Sequence, residues 1–369
     1  MEQGNGRFED LVGTSVRAML ANQRPNGAFI ASPDFAQYQY CWLRDGSFIA
    51  YALDRAGEHG SAARFHRWCA SAVDHVAPLM ERALERARLG KPVDPGAMPP
   101  GRFTIDGFVA NDNWPNFQID GYGLWLWSLC EHLERSSTDR LADGLAPAVE
   151  RTAQYLAEIG TGACFDVWEE HGNAVHTATL GCVYAGLAAA SAILANPGLR
   201  DRAEAVRSRV LESARREGRF EKSNESQEVD AALLWLSEPL GLVDPHDPAA
   251  IETAREVSTE LDLDGGIRRY PTDTYYGGGA WPVLTATLGW YHASIGELDQ
   301  ARQRLRWIAA RFGADGRLGE QFGGERRDPE KCAEWVRRWG PPAKDLLWSH
   351  AMFVVLSDEL DGLNGWHES

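Results

Sequence analysis

Residues 166–194 read DVWEEHGNAVHTATLGCVYAGLAAASAIL, and this stretch combines the two features on which the fold depends. Its second part, residues 175–194, is apolar on nearly every side. A helix without a polar face has to be covered all round, so this segment predicts a helix in the interior of the molecule. Its first part places two adjacent carboxylates, Glu169 and Glu170, beside Trp168 just before that helix.

Five further segments are apolar nearly all round, and we expect them inside as well: 48–53, 122–129, 229–236, 281–291 and 346–356. Between them lie segments whose apolar residues recur only at positions i, i+3, i+4 and i+7, as at Leu145, Val149, Ala153 and Leu156. That spacing is typical of surface helices, which bury one face. The chain therefore alternates surface helices with interior helices.

Twelve helices are predicted in this way, at about residues 8–23, 44–57, 60–88, 116–134, 141–159, 175–195, 199–217, 227–237, 248–260, 280–294, 297–312 and 343–357. Six hairpins, each of one outer and one inner helix, form a two-layered ring. The predicted fold is therefore all-α, an (α/α)6 barrel. We expect one domain over residues 1–369, because we find no linker that would separate two domains.

Segments rich in Trp, Arg, Asp and Glu fall just before the predicted inner helices or on their first turns: 42–45, 113–118, 166–170, 223–226, 269–273 and 319–322. Because the hairpin alternation makes the inner helices parallel, these segments meet at one end of the ring. We expect a pocket there. The irregular stretches 89–113 and 312–342 are predicted to be loops that wall this pocket, since long connections in a compact fold are usually functional.

Composition limits the partners. The net charge of −16 argues against nucleic acid and against an anionic membrane, because both require a basic face. The first eight residues contain no apolar signal region, and the later apolar runs are too short to cross a membrane. The six cysteines lie far apart without a zinc-site spacing, so we expect free thiols and a cytoplasmic location.

Three motifs carry candidate chemistry. A carboxyl group beside an aromatic ring and a like charge has a raised pKa, which suits Glu169 to glycoside hydrolysis; alternatively Glu169 and Glu170 are solvated residues at a helix start. Arg44 and Asp45 together donate to and accept from sugar hydroxyls, or form a plain ion pair. Trp114 in the segment 114–121 borders a ligand, or belongs to the core beside a capped helix.

The ten histidines show neither an H-E-x-x-H motif nor a cluster in the sequence, so no metal site is expected and no cofactor is predicted. A nucleophile elbow, G-x-S-x-G, and a phosphate-binding glycine loop are also absent from the sequence. These absences disfavour a serine hydrolase and a kinase.

Six motifs follow one another along about residues 38–351: Y-x-Y-x-W-x-R-D from Tyr38, W-x-x-x-Q-x-D-G from Trp114, D-x-W-E-E from Asp166, R-Y-P-x-D-T-Y-Y from Arg269, E-Q-F from Glu320 and W-S-x-A from Trp348. Taken together, they resemble glycoside hydrolase family 15, the family of the glucoamylases and glucodextranases. The resemblance implies an (α/α)6 barrel with its pocket where these loops gather. The expected architecture is most similar to that of the single-domain bacterial isomaltose glucohydrolases, without a separate N-terminal β-sandwich or starch-binding domain.

The same resemblance implies roles for individual residues. Glu169 is similar to the general acid and Glu320 to the general base that activates water. The residues similar to the family's substrate-binding groups are Tyr38, Trp42, Arg44, Asp45, Trp114, Gln118, Val167 through its carbonyl, Trp168, Glu170, Arg269, Tyr270, Tyr275, Trp281 and Trp348. Two features depart from the family pattern: Thr272 stands where an acidic residue is usual, and residues 323–342 are a charged stretch of this protein's own.

From this resemblance we expect an inverting, exo-acting α-glucosidase that releases β-D-glucose from the non-reducing end of short α-glucosides. Isomaltose and α-1,6-linked isomaltooligosaccharides are the expected substrates, and the enzyme is expected to be a monomer or a weak homo-oligomer. The alternatives within the class are an α-1,4 glucoamylase type and a trehalose hydrolase. Those of another class are a sugar epimerase or isomerase and an inactive sugar-binding toroid.

Overall fold

The structure, a computed structural model, describes residues 2–91, 94–137, 141–142 and 144–364, and most of these residues are helical. The helices are α1 (Glu2–Ala21), α2 (Leu43–Arg55), α3 (His59–Arg88), α4 (Asp120–Arg135), α5 (Ala146–Ile159), α6 (Thr177–Ile193), α7 (Pro197–Ser213), α8 (Pro248–Glu260), α9 (Pro282–Ser294), α10 (Leu298–Ala309), α11 (Gly324–Arg327), α12 (Pro329–Trp339) and α13 (Leu347–Asn364).

Three two-stranded antiparallel pairs complete the regular structure. Strand β1 (Cys41–Trp42) pairs with β2 (Arg102–Phe103), β3 (Arg215–Arg216) with β4 (Arg219–Phe220), and β5 (Asp262–Leu263) with β6 (Gly266–Ile267). The first pair ties the irregular stretch 89–113 to the start of α2, with Cys41 opposite Phe103. The other two pairs are short hairpins that follow the outer helices α7 and α8.

The inner helices form a closed ring. Helix α2 contacts α4, α4 contacts α6, α6 contacts the 3-10 helix Ala231–Leu236, that helix contacts α9, α9 contacts α13, and α13 contacts α2. Helices α1, α3, α5, α7, α8 and α10 lie outside this ring. The predicted (α/α)6 toroid is confirmed.

Inside the ring, α4 and α6 pack backbone against backbone. A Cβ atom on Gly123 of α4 would lie 2.1 Å from the carbonyl oxygen of Cys182 on α6, and one on Gly186 would lie 2.6 Å from Gly123 Cα. Only glycine permits so close an approach. This contact explains why α6 is apolar all round, since nearly every residue from Thr177 to Leu187 is buried.

Most predicted boundaries agree within a few residues, and the differences have local causes. Helix α7 ends at Ser213 rather than near 217, because β3 and β4 begin there. The segment predicted as the helix 227–237 is a 3-10 helix; its start is capped by Asp230, whose carboxylate accepts the N–H of Ala232. Helix α4 begins at Asp120, so residues 116–119 lie outside it.

The prediction that residues 312–342 are irregular is wrong for residues 324–339, where two helices lie. Helix α12 occupies Pro329–Trp339, with Asp328 at its N-cap accepting the N–H of Lys331 at 3.0 Å and Gly340 at its C-cap. An N-cap Asp followed by Pro, and a Gly after the last turn, are ordinary signals for the start and the end of a helix. The high charge of the stretch hid these signals.

Among the described residues, no helix combines the length and the apolar character needed to span a bilayer.

Candidate active site

The N-terminal ends of the inner helices surround one cavity of about 610 Å³. Pockets of roughly 300–1,000 Å³ are the usual size for small-molecule sites. Fourteen of the sixteen sequence-predicted site residues line it: Tyr38, Trp42, Arg44, Asp45, Trp114, Val167, Trp168, Glu169, Glu170, Arg269, Tyr275, Trp281, Glu320 and Trp348. The structure therefore brings together residues that are as much as three hundred positions apart.

Glu169 is held on a tight turn before α6. Asp166 organises the turn, because its Oδ1 accepts the N–H of Trp168 at 3.0 Å and that of Glu170 at 2.8 Å. Its other oxygen lies 3.3 Å from Lys222 Nζ. Glu169 itself has a φ of 66°, in the left-handed region that side chains other than glycine rarely adopt. The alternative of a solvated residue in the first turn of a helix is wrong for Glu169, since α6 begins only at Thr177.

Two indole groups bind the Glu169 carboxylate. Trp42 donates its Nε1–H to Oε1, and Trp114 donates its Nε1–H to Oε2 at 2.8 Å. The guanidinium of Arg44 lies 3.9 Å from Oε1. Burial raises the pKa of Glu169 to about 7, although Arg44 and the two indoles oppose the rise. A carboxyl group with this pKa carries a proton for a useful fraction of the time near neutral pH.

Glu320 is 1% exposed, and its two oxygens differ. Oε1 accepts a hydrogen bond from the Tyr38 hydroxyl at 2.7 Å, and that hydroxyl also lies 2.8 Å from the hydroxyl of Tyr275. Oε2 has no hydrogen-bond partner within the part of the chain that the structure describes. Burial raises the pKa of Glu320 to about 8, while Tyr38 and Arg269 lower it. Glu320 Oε2 is therefore a buried acceptor that no described residue occupies.

Arg44 and Asp45 lie on the first turn of α2. Arg44 donates to Asp120 at 3.0 Å, and its Nε lies 3.4 Å from Asp45 Oδ1. That second contact is long for a charge-assisted hydrogen bond, so both atoms keep capacity for sugar hydroxyls. The guanidinium also lies over Trp348, 5.4 Å from its ring centre. Burial raises the pKa of Asp45 to about 6, and Arg44 opposes the rise.

On another side of the cavity, Arg269 is fixed by a two-pronged ion pair with Asp273, at 2.9 and 2.5 Å. Its NH2 group also lies 3.4 Å from Glu170, which accepts the hydroxyl hydrogen of Tyr270 as well. The guanidinium packs against several rings, among them Trp281 at 5.7 Å. The indole N–H groups of Trp281 and Trp348 have no acceptor among the described residues, which leaves two buried donors at the cavity.

Two predicted site residues lie behind the wall rather than in it. Gln118 is 1% exposed and donates its Nε2–H to the carbonyl of Asp166 at 2.7 Å, so it supports the turn that carries Glu169. Tyr270 supports Glu170 through its hydroxyl group. Trp114 belongs to a loop rather than to a helix start, because α4 begins six residues later.

Sequence reasoning missed several lining residues. Tyr40 and Arg102 lie at the β1–β2 pair. The guanidinium carbon of Arg102 lies 4.1 Å from the centre of the Tyr40 ring, and this stacking orients the guanidinium. Trp335, Arg338 and Trp339 come from α12, which the sequence placed in a loop. The spacing of Trp335 and Trp339 by four residues was the available signal, since it puts both indoles on one helix face.

The fold also creates a histidine cluster that the sequence does not show. The cluster lies at the C-terminal ends of α2 and α4, away from the cavity. There Asp54 Oδ1 lies 2.9 Å from the Nδ1 atoms of both His59 and His132. The ring of His66 lies 5.1 Å from that of His132, and burial lowers the pKa of His66 well below its usual value.

The comparison with known families agrees with this geometry. The model described as glycosyl hydrolases family 15 matches residues 6–315. The chain belongs to this family. It is therefore a glycoside hydrolase, and a sugar is its substrate. The match ends before Glu320, so the proposed role of that residue depends on its motif and on the contacts described above.

Several relatives resemble the chain along most of its length. Isomaltose glucohydrolase from Kribbella flavida is 39% identical over 363 residues, covering 96% of this chain and 93% of that protein. Trehalase 2 from Sulfolobus acidocaldarius is 25% identical over 343 residues, covering 84% of this chain and 57% of the trehalase.

Solved structures show the same relationship. A variant glycosidase in complex with glucose has a TM-score of 0.93 at 37% identity, covering 98% of this chain and 99% of that chain. A bacterial glucoamylase complexed with acarbose has a TM-score of 0.72 at 21% identity, covering 97% of this chain and 56% of that chain. The second likeness concerns the fold alone.

Proposed function

We propose that the protein is an inverting, exo-acting α-glucosidase that releases β-D-glucose from the non-reducing end of short α-glucosides, with isomaltose and α-1,6-linked isomaltooligosaccharides as its substrates. The observation that carries this proposal is the pair of carboxyl groups on one cavity, that of Glu320 buried and that of Glu169 partly buried. Glu169 and Glu320 both have raised pKa values, and they have different partners. Glycosidases use two carboxyl groups in different roles.

Glu169 is the general acid. Its turn and its two indole partners fix the carboxyl group, so that its proton is delivered to the glycosidic oxygen as the bond to the anomeric carbon breaks. The leaving sugar departs as an alcohol with that proton. Trp42 and Trp114 bind the carboxylate that remains on Glu169, which stabilises the charge formed by the transfer.

Glu320 is the general base. Its open oxygen, Oε2, accepts a proton from a water molecule while the oxygen of that water forms a bond to the anomeric carbon on the face opposite the leaving group. Tyr38 fixes the other oxygen, and burial keeps the pKa of the Tyr38 hydroxyl far above its ordinary value, so it stays a donor. The proton taken by Glu320 returns to solvent, Glu169 regains one, and the product is β-glucose.

The pKa values do not by themselves assign the two roles, because the pKa of Glu320 is at least as high as that of Glu169. The charge of an ionised Glu169 also raises the pKa of Glu320. The active form carries one proton on the pair. The assignment follows instead from the contacts, since the unpaired oxygen of Glu320 suits a water molecule, whereas both oxygens of Glu169 are held by indole N–H groups.

The glucose unit is bound by the groups that face the cavity. Arg44 and Asp45 supply a donor and an acceptor for its hydroxyls, and Trp281 and Trp348 supply two further N–H donors. The likeness to isomaltose glucohydrolase supports the α-1,6 linkage. The likeness to a trehalase makes trehalose the main competing substrate.

We also infer that the enzyme acts as a monomer or a weak homo-oligomer in the cytoplasm, without a cofactor. All six cysteines are free and four of them are buried, which supports a reducing compartment.

Glucose release from isomaltose, maltose, trehalose and panose tests the proposal. We expect the highest kcat/KM with isomaltose. A higher value with maltose would favour the α-1,4 type, and a higher value with trehalose would favour a trehalose hydrolase. Sugar binding without glucose release from any of the four would indicate an inactive sugar-binding toroid. Glu169→Gln is the negative control for this assay, because it removes the acidic proton while keeping the shape of the side chain.

A further inference from the structure

Helix α12 covers part of the cavity although it has no buried residue of its own. It is held at both ends. Before it, Arg327 donates to the carbonyl groups of Asp273 and Pro271 at 2.7 and 2.9 Å. After it, the Tyr276 hydroxyl donates to the carbonyl of Gly340 at 2.8 Å. These bonds fix α12 over the cavity without requiring its side chains for the core, so its exposed face is available for another purpose.

The face of α12 that lines the cavity carries Trp335, Arg338 and Trp339. The Arg338 guanidinium lies between the two indoles, with its carbon 5.3 Å from the Trp335 ring centre and 5.0 Å from that of Trp339. Within the described residues, no carboxylate or carbonyl accepts a hydrogen bond from this guanidinium. Stacking between rings orients a guanidinium while leaving its N–H groups free for hydroxyl oxygens.

The position of these three residues relates them to both proposed catalytic groups. Trp339 packs on Trp114 with ring centres 6.3 Å apart, and Trp114 donates to Glu169. Trp335 packs on Tyr275 with ring centres 4.9 Å apart. The Tyr275 hydroxyl lies 2.8 Å from the Tyr38 hydroxyl, which donates to Glu320. The face of α12 therefore contacts residues on the acid side of the cavity and residues on its base side.

We propose that Trp335, Arg338 and Trp339 form the binding site for the leaving group, and that they select a neutral pyranose there. This inference rests on the proposed function, because Glu169 has to be the acid for its neighbour Trp114 to mark the leaving-group side. The indoles offer flat apolar surfaces to the sugar ring, and Arg338 offers donors to its hydroxyls. The family match ends at residue 315 and assigns no role to α12.

The test compares two substrates that differ only in the leaving group. Isomaltose has a sugar as its leaving group, whereas α-glucosyl fluoride has a single atom that needs no contact with α12. Arg338→Ala and Trp339→Ala should lower kcat/KM for isomaltose about tenfold or more, as expected for a lost charged hydrogen bond or aromatic contact. The value for α-glucosyl fluoride should change less than about twofold, and Trp339→Phe should recover part of the loss.

Arg337→Ala is the matched control, because Arg337 is exposed on the same helix, carries the same charge and does not line the cavity. It should leave both substrates unaffected. Equal losses for both substrates in Arg338→Ala and Trp339→Ala would overturn the inference, since α12 would then shape the glucose site. Unchanged activity on both would also overturn it.

A wild-type protein that hydrolyses neither substrate would refute the proposed function instead. Calorimetric binding of isomaltose to the same variants would then carry the test of α12. Weaker binding in Arg338→Ala and Trp339→Ala, but not in Arg337→Ala, would support the sugar site, and unchanged binding in all three would overturn it.

Discussion

Replacing Glu320 by glutamine should make the stability of the protein less sensitive to alkaline pH. Glu320 is 1% exposed, and burial raises its pKa from 4.5 to about 8. In the wild-type protein the unfolded chain releases this proton near pH 4.5, while the folded chain keeps it until about pH 8. The free energy of unfolding therefore falls as the pH rises between those two values. The glutamine side chain of the variant has no proton to lose in this range.

The size of the effect follows from the same rise in pKa. At about 1.4 kcal/mol per pH unit, a rise from 4.5 to about 8 corresponds to roughly 5 kcal/mol of lost stability. Glutamine has costs of its own, such as a buried amide N–H group, but these do not depend on pH. The informative quantity is therefore the change with pH in the stability difference between variant and wild type.

Urea denaturation at about pH 5 and about pH 9 measures this quantity, with equal m-values as a check that the same surface is exposed. From about pH 5 to about pH 9, the free energy of unfolding of Glu320→Gln should rise by several kcal/mol relative to that of the wild type. Glu150→Gln, on the exposed side of α5, is the matched control and should follow the wild-type curve. Parallel curves for wild type and Glu320→Gln would show that Glu320 ionises normally, and the reasoning on its buried oxygen would fail.

Two further outcomes are expected. Glu169→Gln should lower kcat on isomaltose by about 10²–10⁴-fold, because the amide keeps the shape of the side chain but has no acidic proton to donate. The affinity for isomaltose, measured by calorimetry, should stay largely unchanged. A variant that retained more than about a tenth of the wild-type rate would show that Glu169 is not the general acid. Trp114→Phe should raise the pKa of Glu169 above about 7, because one N–H donor to its carboxylate is lost. Infrared titration of the protonated carboxyl band measures this change, with Trp339→Phe as the control. An unaltered titration would contradict the 2.8 Å hydrogen bond between Trp114 and Glu169.

The ring itself was predictable because the information lies in local patterns. The segment 175–194 has no polar face, and α6 is accordingly buried between α4 and the 3-10 helix Ala231–Leu236. The alternation of such segments with one-sided helices determines the order of layers, and parallel inner helices bring Arg44, Arg269 and Trp348 to one end. These inferences need only the period of the helix and the requirement to cover apolar surface.

The contacts that set the chemistry were less predictable, because they join distant parts of the chain through particular rotamers. No pattern in the sequence pairs Trp42 and Trp114 with the two oxygens of Glu169, or leaves one oxygen of Glu320 open. Gln118 has the residue type of a ligand-binding group, yet the path of its loop directs it to the carbonyl of Asp166.

Helix α12 was missed for a different reason. Its residues between Trp335 and Trp339 are mostly charged, and the helix has no buried side chain, so the apolar periodicity used elsewhere does not apply. Its end signals, Asp328 with Pro329 and then Gly340, were present. Weighting caps above periodicity would have found it.

The measurement that tests the central claim most directly is the anomeric form of the first glucose released. If Glu320 activates water, the carboxyl groups of Glu169 and Glu320 should lie about 6.5–9.5 Å apart, and the product inverts; a nucleophilic Glu320 would require about 5–5.5 Å and retention. Proton NMR of the anomeric region during the first minutes of isomaltose hydrolysis distinguishes the two. The account predicts β-glucose first, with α-glucose appearing by slower mutarotation. Release of α-glucose before β-glucose would contradict it.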